Sequence, residues 1–130
     1  MFSRRHLFAF VVLAGSAISG SAFAAEKVPY TQATFDAAQT AGRSILVEVH
    51  ATWCPTCKAQ APILSSIEEG AAYENLVVFH VDFDGQKDAV KRFDARMQST
   101  LITFKGGKET GRSVGDTDPT SIAALLAKAS

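Results

Sequence analysis

Apolar and polar positions follow three patterns along this chain, and each predicts a kind of element. Leu7 to Ile18 is an apolar run of about twelve residues. Thr31 to Ala41 has helical spacing, with Phe35 and Ala38 on one face and Gly42 as the stop. Ser44–His50 (SILVEVH) is an apolar, β-branched strand that carries one carboxylate, Glu48. A helix is expected from about Cys54 to Glu69, burying Ile63, Leu64 and Ile67, with Gly70 beyond its end and Pro62 kinking it from inside. Leu76 to Phe83 is a second continuous apolar strand, and Gln86 to Met97 a helix burying Ala89, Val90 and Phe93. Thr100–Phe104 and Thr110–Val114 are strands joined by a hairpin at Gly106 and Gly107. Asp118 caps a last amphipathic helix, with Pro119 at its first position and Ile122, Leu125, Leu126 and Ala129 on its apolar face.

The predicted order is αβαβαββα. Strand and helix alternate in the first part, which implies right-handed parallel crossovers, and the hairpin adds an antiparallel edge. The fold class is therefore α/β, a central mixed sheet flanked by helices on both faces. With 130 residues, 47% hydrophobic and 20% charged, the chain has room for one domain, and disorder is excluded. No repeat or linker divides residues 25–130.

The first apolar run is too short to span a bilayer. Arg4 and Arg5 precede it and Ala22-Phe23-Ala24 follows it, so residues 1–24 read as a cleavable export signal. The stretch Ser3-Arg4-Arg5-His6-Leu7-Phe8 also resembles a twin-arginine signal. Cleavage after Ala24 leaves a periplasmic or secreted protein; without cleavage it stays anchored to the membrane. Thirteen basic residues balance thirteen acidic ones, so there is no basic excess to hold nucleic acid. Both cysteines follow the cut, in a compartment where disulfides persist.

Those cysteines stand as Trp53-Cys54-Pro55-Thr56-Cys57-Lys58, where a strand ends and a helix begins. At a helix N-terminus, unpaired N–H groups and the macrodipole favour a thiolate at Cys54. Cys57, one turn further in, is expected to be more shielded and suited to resolving a mixed disulfide. Pro55 lacks a donor and stiffens the first turn. A purely structural disulfide restrains too short a loop to be a useful staple. Structural zinc needs four ligands, and after cleavage only these thiols, His50 and His80 remain besides carboxylates. Redox chemistry is the reading the strand-to-helix context favours.

With these residues in view, the chain resembles the thioredoxin superfamily from about Thr31 to Lys128. Ile45-Leu46-Val47-Glu48 leading to Ala51-Thr52-Trp53-Cys54 is similar to that family's strand and tryptophan before the first thiol, and Pro62 falls where members carry a kinking proline. Thr100 to Gly107 is similar to the late strand and turn, and Val114-Gly115 to the end of the next strand. The resemblance implies a thioredoxin fold and disulfide exchange with protein substrates through a Cys54–Cys57 redox pair. It implies no bound cofactor. Glu48 stands where members have a buried aspartate under the second thiol; it shares strand parity with His50 and is expected to handle the Cys57 proton. His50 stands where many members have an aromatic residue. His80, where members often place a lysine, is a candidate partner of Glu48 on which nothing else depends.

Trp53 is expected to cover the thiols, Pro55 and Thr56 to tune the potential, and Ser99 and Thr100 to form the substrate loop. Ser99 departs from the family, which usually has a cis-proline there. A non-proline cis bond costs about 2.5–4 kcal/mol, so Gln98–Ser99 is expected to be trans. The leading expectation is a monomeric exported oxidoreductase exchanging disulfides with protein thiols and served by a membrane electron donor or acceptor. Cys54 and Cys57 with His50 also suit Cu(I) or Zn(II), so the alternative is an exported copper or zinc carrier. A third reading is a thioredoxin-like binding module with little turnover.

Overall fold

The computed structural model describes residues 24–130, so the export signal read at 1–24 lies outside the described residues except for Ala24. Five strands and four α-helices follow in the order β1 (Glu26–Pro29), α1 (Gln32–Thr40), β2 (Ser44–His50), α2 (Pro55–Glu68), β3 (Leu76–Asp82), α3 (Lys87–Arg92), β4 (Thr100–Lys105), β5 (Lys108–Val114) and α4 (Pro119–Ala127). One 3₁₀ turn, Ala71–Tyr73, links α2 to β3. The sheet order is β1-β3-β2-β4-β5. β1 and β2 run parallel to β3, and β4 and β5 are antiparallel to their neighbours, so the expected mixed sheet is the one observed.

Apolar residues alternate along β2 between two cores, and this sets which helix each side chain meets. Ile45, Val47 and Val49 join Phe35, Phe79, Phe93 and Phe104 under α1 and α3. Leu46 joins Leu64, Leu101, Ile122 and Leu126 under α2 and α4. Glu48 and His50 share the parity of Leu46, so they point toward α2. Phe35 anchors the first core, its ring 5.1 to 5.8 Å from those of Tyr30, Phe79, Phe93 and Phe104.

The expected element order needs one correction at its start. β1 precedes α1, and the apolar pattern did not predict it because EKVP is a short edge strand with three exposed residues, ending in a proline that edges tolerate. α3 is also shorter than the helix expected over Gln86–Met97. Asp94 turns left-handed (φ 50°), and the Arg112 guanidinium donates to the carbonyls of Phe93 and Asp94 at 2.8 and 3.2 Å, which takes up carbonyls the helix leaves unpaired. β5 begins at Lys108 instead of Thr110, with a bulge at Thr103/Phe104 restoring register with β4. Gly106 closes the hairpin at φ 55°, and a Cβ there would meet the Gly42 Cα at 3.3 Å.

Removing the Phe35 ring leaves a cavity among four aromatic neighbours. Phe35→Ala should destabilise the fold by about 3–5 kcal/mol, read as a lowered urea midpoint with the denaturant slope unchanged.

Candidate active site

β2 ends at His50, and the chain turns through Ala51–Trp53 with the Cys54 amide donating to the Ala51 carbonyl at 3.2 Å. Cys54 is the N-cap of α2, with extended backbone (φ −83°, ψ 111°) and Pro55 just inside the helix. Its Sγ accepts the Cys57 amide at 3.1 Å, satisfying one of the donors that a helix start leaves open. Both cysteines stand as thiols, the reduced state of the pair.

The expected shielding is reversed. Cys54 is 0% exposed, whereas Cys57 is half-buried. The Cys54 sulfur is turned over the first helical turn to meet the Cys57 amide, while Cys57 opens into a cavity of about 280 Å³ beneath α2. Burial, and next hydrogen bonding to Cys54, push the Cys57 thiol up, against the opposite pull of backbone hydrogen bonds at Ala51 and Ser99. Cys57 therefore holds its proton more firmly than a free cysteine does.

Glu48, His50, Cys57 and His80 line that same cavity. Glu48 is 8% exposed, and burial, reinforced by Glu68, pushes its carboxyl up to about 9. Glu48 Oε2 lies 3.3 Å from His80 Nε2, as the register Glu48↔His80 dictates. Burial first, then the neighbouring His50, hold His80 below the usual histidine range. At neutral pH the contact therefore joins a protonated acid and a neutral imidazole and is not a charged pair. The His50 and His80 rings meet edge to face at 5.4 Å.

The loop before β4 closes the other side. All described peptide bonds are trans, and Ser99 is left-handed (φ 59°) and buried. Its carbonyl accepts from the Gly115 amide at 3.0 Å and from Gln60 Nε2 at 3.3 Å; Gln60 Nε2 also donates to the Asp116 carbonyl at 2.7 Å. Thr100 is buried, and its hydroxyl donates to the Met97 carbonyl at 2.6 Å. Pro55 is exposed and Thr56 half-buried on the first turn of α2. Trp53 does not fold down as a cover: it is 56% exposed, because its indole N–H donates to Asp84 Oδ2 at 2.6 Å in the loop after β3. Among the described residues, no three His, Cys, Asp or Glu side chains are grouped so as to hold a metal ion.

Four residues of this region escaped the sequence reading: Lys27, Gln60, Glu68 and Asp84. Gln60 and Glu68 are buried on α2 together with Leu64. Their spacing of four residues on either side of Leu64 puts them on its stripe, a signal that was present. Polar residues on an amphipathic helix are ordinarily assigned to the outer face, and that habit hid them.

A family model described as thioredoxin matches residues 26–128. The thioredoxin of Chlamydia trachomatis is 33% identical over 84 residues, covering 65% of this chain and 80% of the relative. Thioredoxin-2 of Saccharomyces cerevisiae is 33% identical over 94 residues, covering 72% and 88%. The crystal structure of Trxlp from Edwardsiella tarda EIB202 superposes with a TM-score of 0.76 at 42% identity, covering 78% of this chain and 98% of that one.

Glu48 ionises near 4.5 as a free carboxyl and near 9 in the fold. Between those values the folded protein keeps a proton that the unfolded chain has released, so the contribution is complete below the lower value and is lost as pH rises toward the upper one. Stability measured by urea titration should therefore fall from about pH 5 to pH 9, and Glu48→Gln should flatten that decline. A variant with the wild-type slope would mean that Glu48 does not carry the proton.

Proposed function

The chain belongs to the thioredoxin family and is a thiol–disulfide oxidoreductase, and on that premise we propose that it works as an exported enzyme, exchanging disulfides with proteins in the periplasm or outside the cell. The observation that carries the chemistry is the Cys54 sulfur at the N-cap of α2, held by the Cys57 amide at 3.1 Å while Cys57 keeps its proton beside Glu48. The support for export is the residue pattern of 1–24, with its paired arginines, twelve-residue apolar run and Ala22-Phe23-Ala24.

The exchange divides between the two thiols. Cys54, as thiolate, attacks one sulfur of a substrate disulfide; a Cys54–substrate bond forms, and the other substrate sulfur leaves with the electron pair of the broken bond. Cys57 then gives up its proton and attacks Cys54 Sγ, closing the Cys54–Cys57 disulfide and releasing the second substrate sulfur. The substrate gains two electrons and the enzyme loses two. Running backward, the same steps donate a disulfide. Glu48, facing Cys57 across their shared cavity, is the group through which the Cys57 proton is handled. Trp53, tied to Asp84, and the Ser99–Thr100 loop flank the thiols where a substrate must approach. Because Cys54 is enclosed in the reduced state, the attack requires the first turn of α2 or this loop to give way locally. A membrane-bound donor or acceptor of electrons resets the pair, and the enzyme acts as a monomer.

Cys57→Ser should accumulate a covalent complex with substrate proteins that dithiothreitol releases, since the second step then has no attacking thiol. Cys54→Ser should form none, and both variants should lose turnover in reduction of a model disulfide such as insulin. Absence of any trapped species under oxidising conditions would count against the mechanism. Recovery of a product shortened by residues 1–24 from the periplasmic fraction or medium checks the compartment; an unprocessed cytoplasmic product removes that part of the proposal.

A further inference from the structure

Glu68 is a carboxylate where a helix lying on an apolar sheet ordinarily carries a hydrophobic side chain. It is 2% exposed, on the stripe of α2 that includes Gln60 and Leu64. Neither of its carboxyl oxygens has a hydrogen-bond partner, and Glu48 Oε1 lacks one as well. The Lys27 ammonium of β1 lies 3.2 Å from Glu68 Oε2, at ion-pair distance but without hydrogen-bond alignment. Glu48 and Glu68 interact side chain to side chain. Two interacting buried carboxylates do not both stay ionised without cost, and one proton between them satisfies an oxygen on each.

We propose that Glu68 is a positioning residue for disulfide exchange, sharing one proton with Glu48 so that Glu48 can take up the Cys57 proton while passing its own to Glu68. This rests on the oxidoreductase reading. Before the resolving step the pair holds one proton and one negative charge, and the charge lies toward Lys27. Glu48 by itself, already protonated at neutral pH, has no place for a second proton. With Glu68 beside it, the Cys57 proton crosses the cavity to Glu48, which has room for a bridging water, and the Glu48 proton moves on to Glu68. The Cys57 sulfur closes the bond to Cys54, the substrate sulfur leaves with the electron pair, and the carboxyl pair is left with two protons and no charge. One proton then passes to solvent beside Lys27, which is half-exposed. In the disulfide-donating direction every step reverses.

The titratable and charged groups facing Glu48 are Cys57, Lys58 and Glu68 from α2, His80 from β3, His50 from β2 itself and Lys27 from β1. Of these, Glu68 raises the proton affinity of Glu48 and Lys27 lowers it, so the two outer members of the relay give opposite signs. A structural role is also available to Glu68, because the Ala25 amide donates to its carbonyl at 3.0 Å and Lys27 reaches its side chain, fastening β1 to α2. Proximity by itself moves the Glu48 midpoint; only the relay carries that movement into the pH profile of disulfide exchange.

The test is a carboxyl ¹³C NMR titration of Glu48 in the reduced protein recovered after expression of the full chain, run beside the pH profile of insulin reduction. In Glu68→Gln the Glu48 midpoint should fall by about one pH unit or more, and the rate profile should move the same way. In Lys27→Met the midpoint should rise. A folded Glu68→Gln protein with the wild-type midpoint overturns the proposal, as does a rate profile that stays put while the midpoint moves. Should Glu68→Gln fail to fold, Lys27→Met decides alone: a midpoint and a rate profile that both move up support the relay, and a midpoint or a rate profile that stays put or moves down overturns it. Wild-type protein that exchanges no disulfide at any pH overturns the oxidoreductase reading instead, a failure told apart because the midpoint is read without turnover.

Discussion

The hydrogen bond from the Cys57 amide to the Cys54 sulfur is the contact on which the arrangement of this domain turns. A helix start leaves its first amides without partners. Here a thiol takes the place that a serine or aspartate oxygen usually fills. For that to serve chemistry, the first turn of α2 must sit at the end of β2 and not merely near it. The geometry is secured from both directions: Pro55 presets the first helical residue, and Leu64 locks the helix onto Leu46 and Leu101 about two turns beyond Cys57. The sheet supplies rigidity, since β2 lies between β3 and β4 and is covered by helices on both faces.

The interior beneath that helix is less apolar than its neighbours. Gln60, Glu68 and Glu48 are all buried between α2 and the sheet, where a fold optimised for stability alone would place aliphatic side chains. Gln60 spends its amide on two loop carbonyls, so it is satisfied. The carboxyls are not, and a buried, incompletely paired acid destabilises the fold. Such a cost persists where the group does work that an aliphatic side chain cannot, and the open side of Cys57 faces this acid.

Much of this could be read before the fold was seen, and the limits have physical causes. Strand parity alone put Glu48 and His50 on one face under the thiols, because a period of two leaves no other choice once Leu46 is inward. The CxxC pair, the trans bond at Ser99 and the mixed sheet were legible for similar reasons: each follows from local chemistry or from connection rules. β1 was not, since an edge strand needs neither alternation nor length and EKVP has neither. The exposure of the thiols was misjudged because helix position says which way a side chain starts, not where the neighbouring turn closes over it. Glu68 was missed because Glu48 lies on β2, twenty residues away from this helix position, and a pairing across layers leaves no trace in periodicity.

Ser99 shows how a local departure is absorbed by the surroundings. In place of the proline common in the family, this chain has a residue at φ 59°, a backbone state that costs a non-glycine residue on the order of 1–3 kcal/mol. A loop strained in that way would be expected to swing out and uncover the thiols. It stays buried because its carbonyl accepts both Gln60 and the Gly115 amide, and Gln60 in turn ties the Asp116 carbonyl. The restraint that a proline ring builds into the backbone is here supplied by a side chain from α2. The same helix therefore carries both cysteines at its start and the clamp on the loop that faces them, so any movement that uncovers Cys54 acts on all three at once.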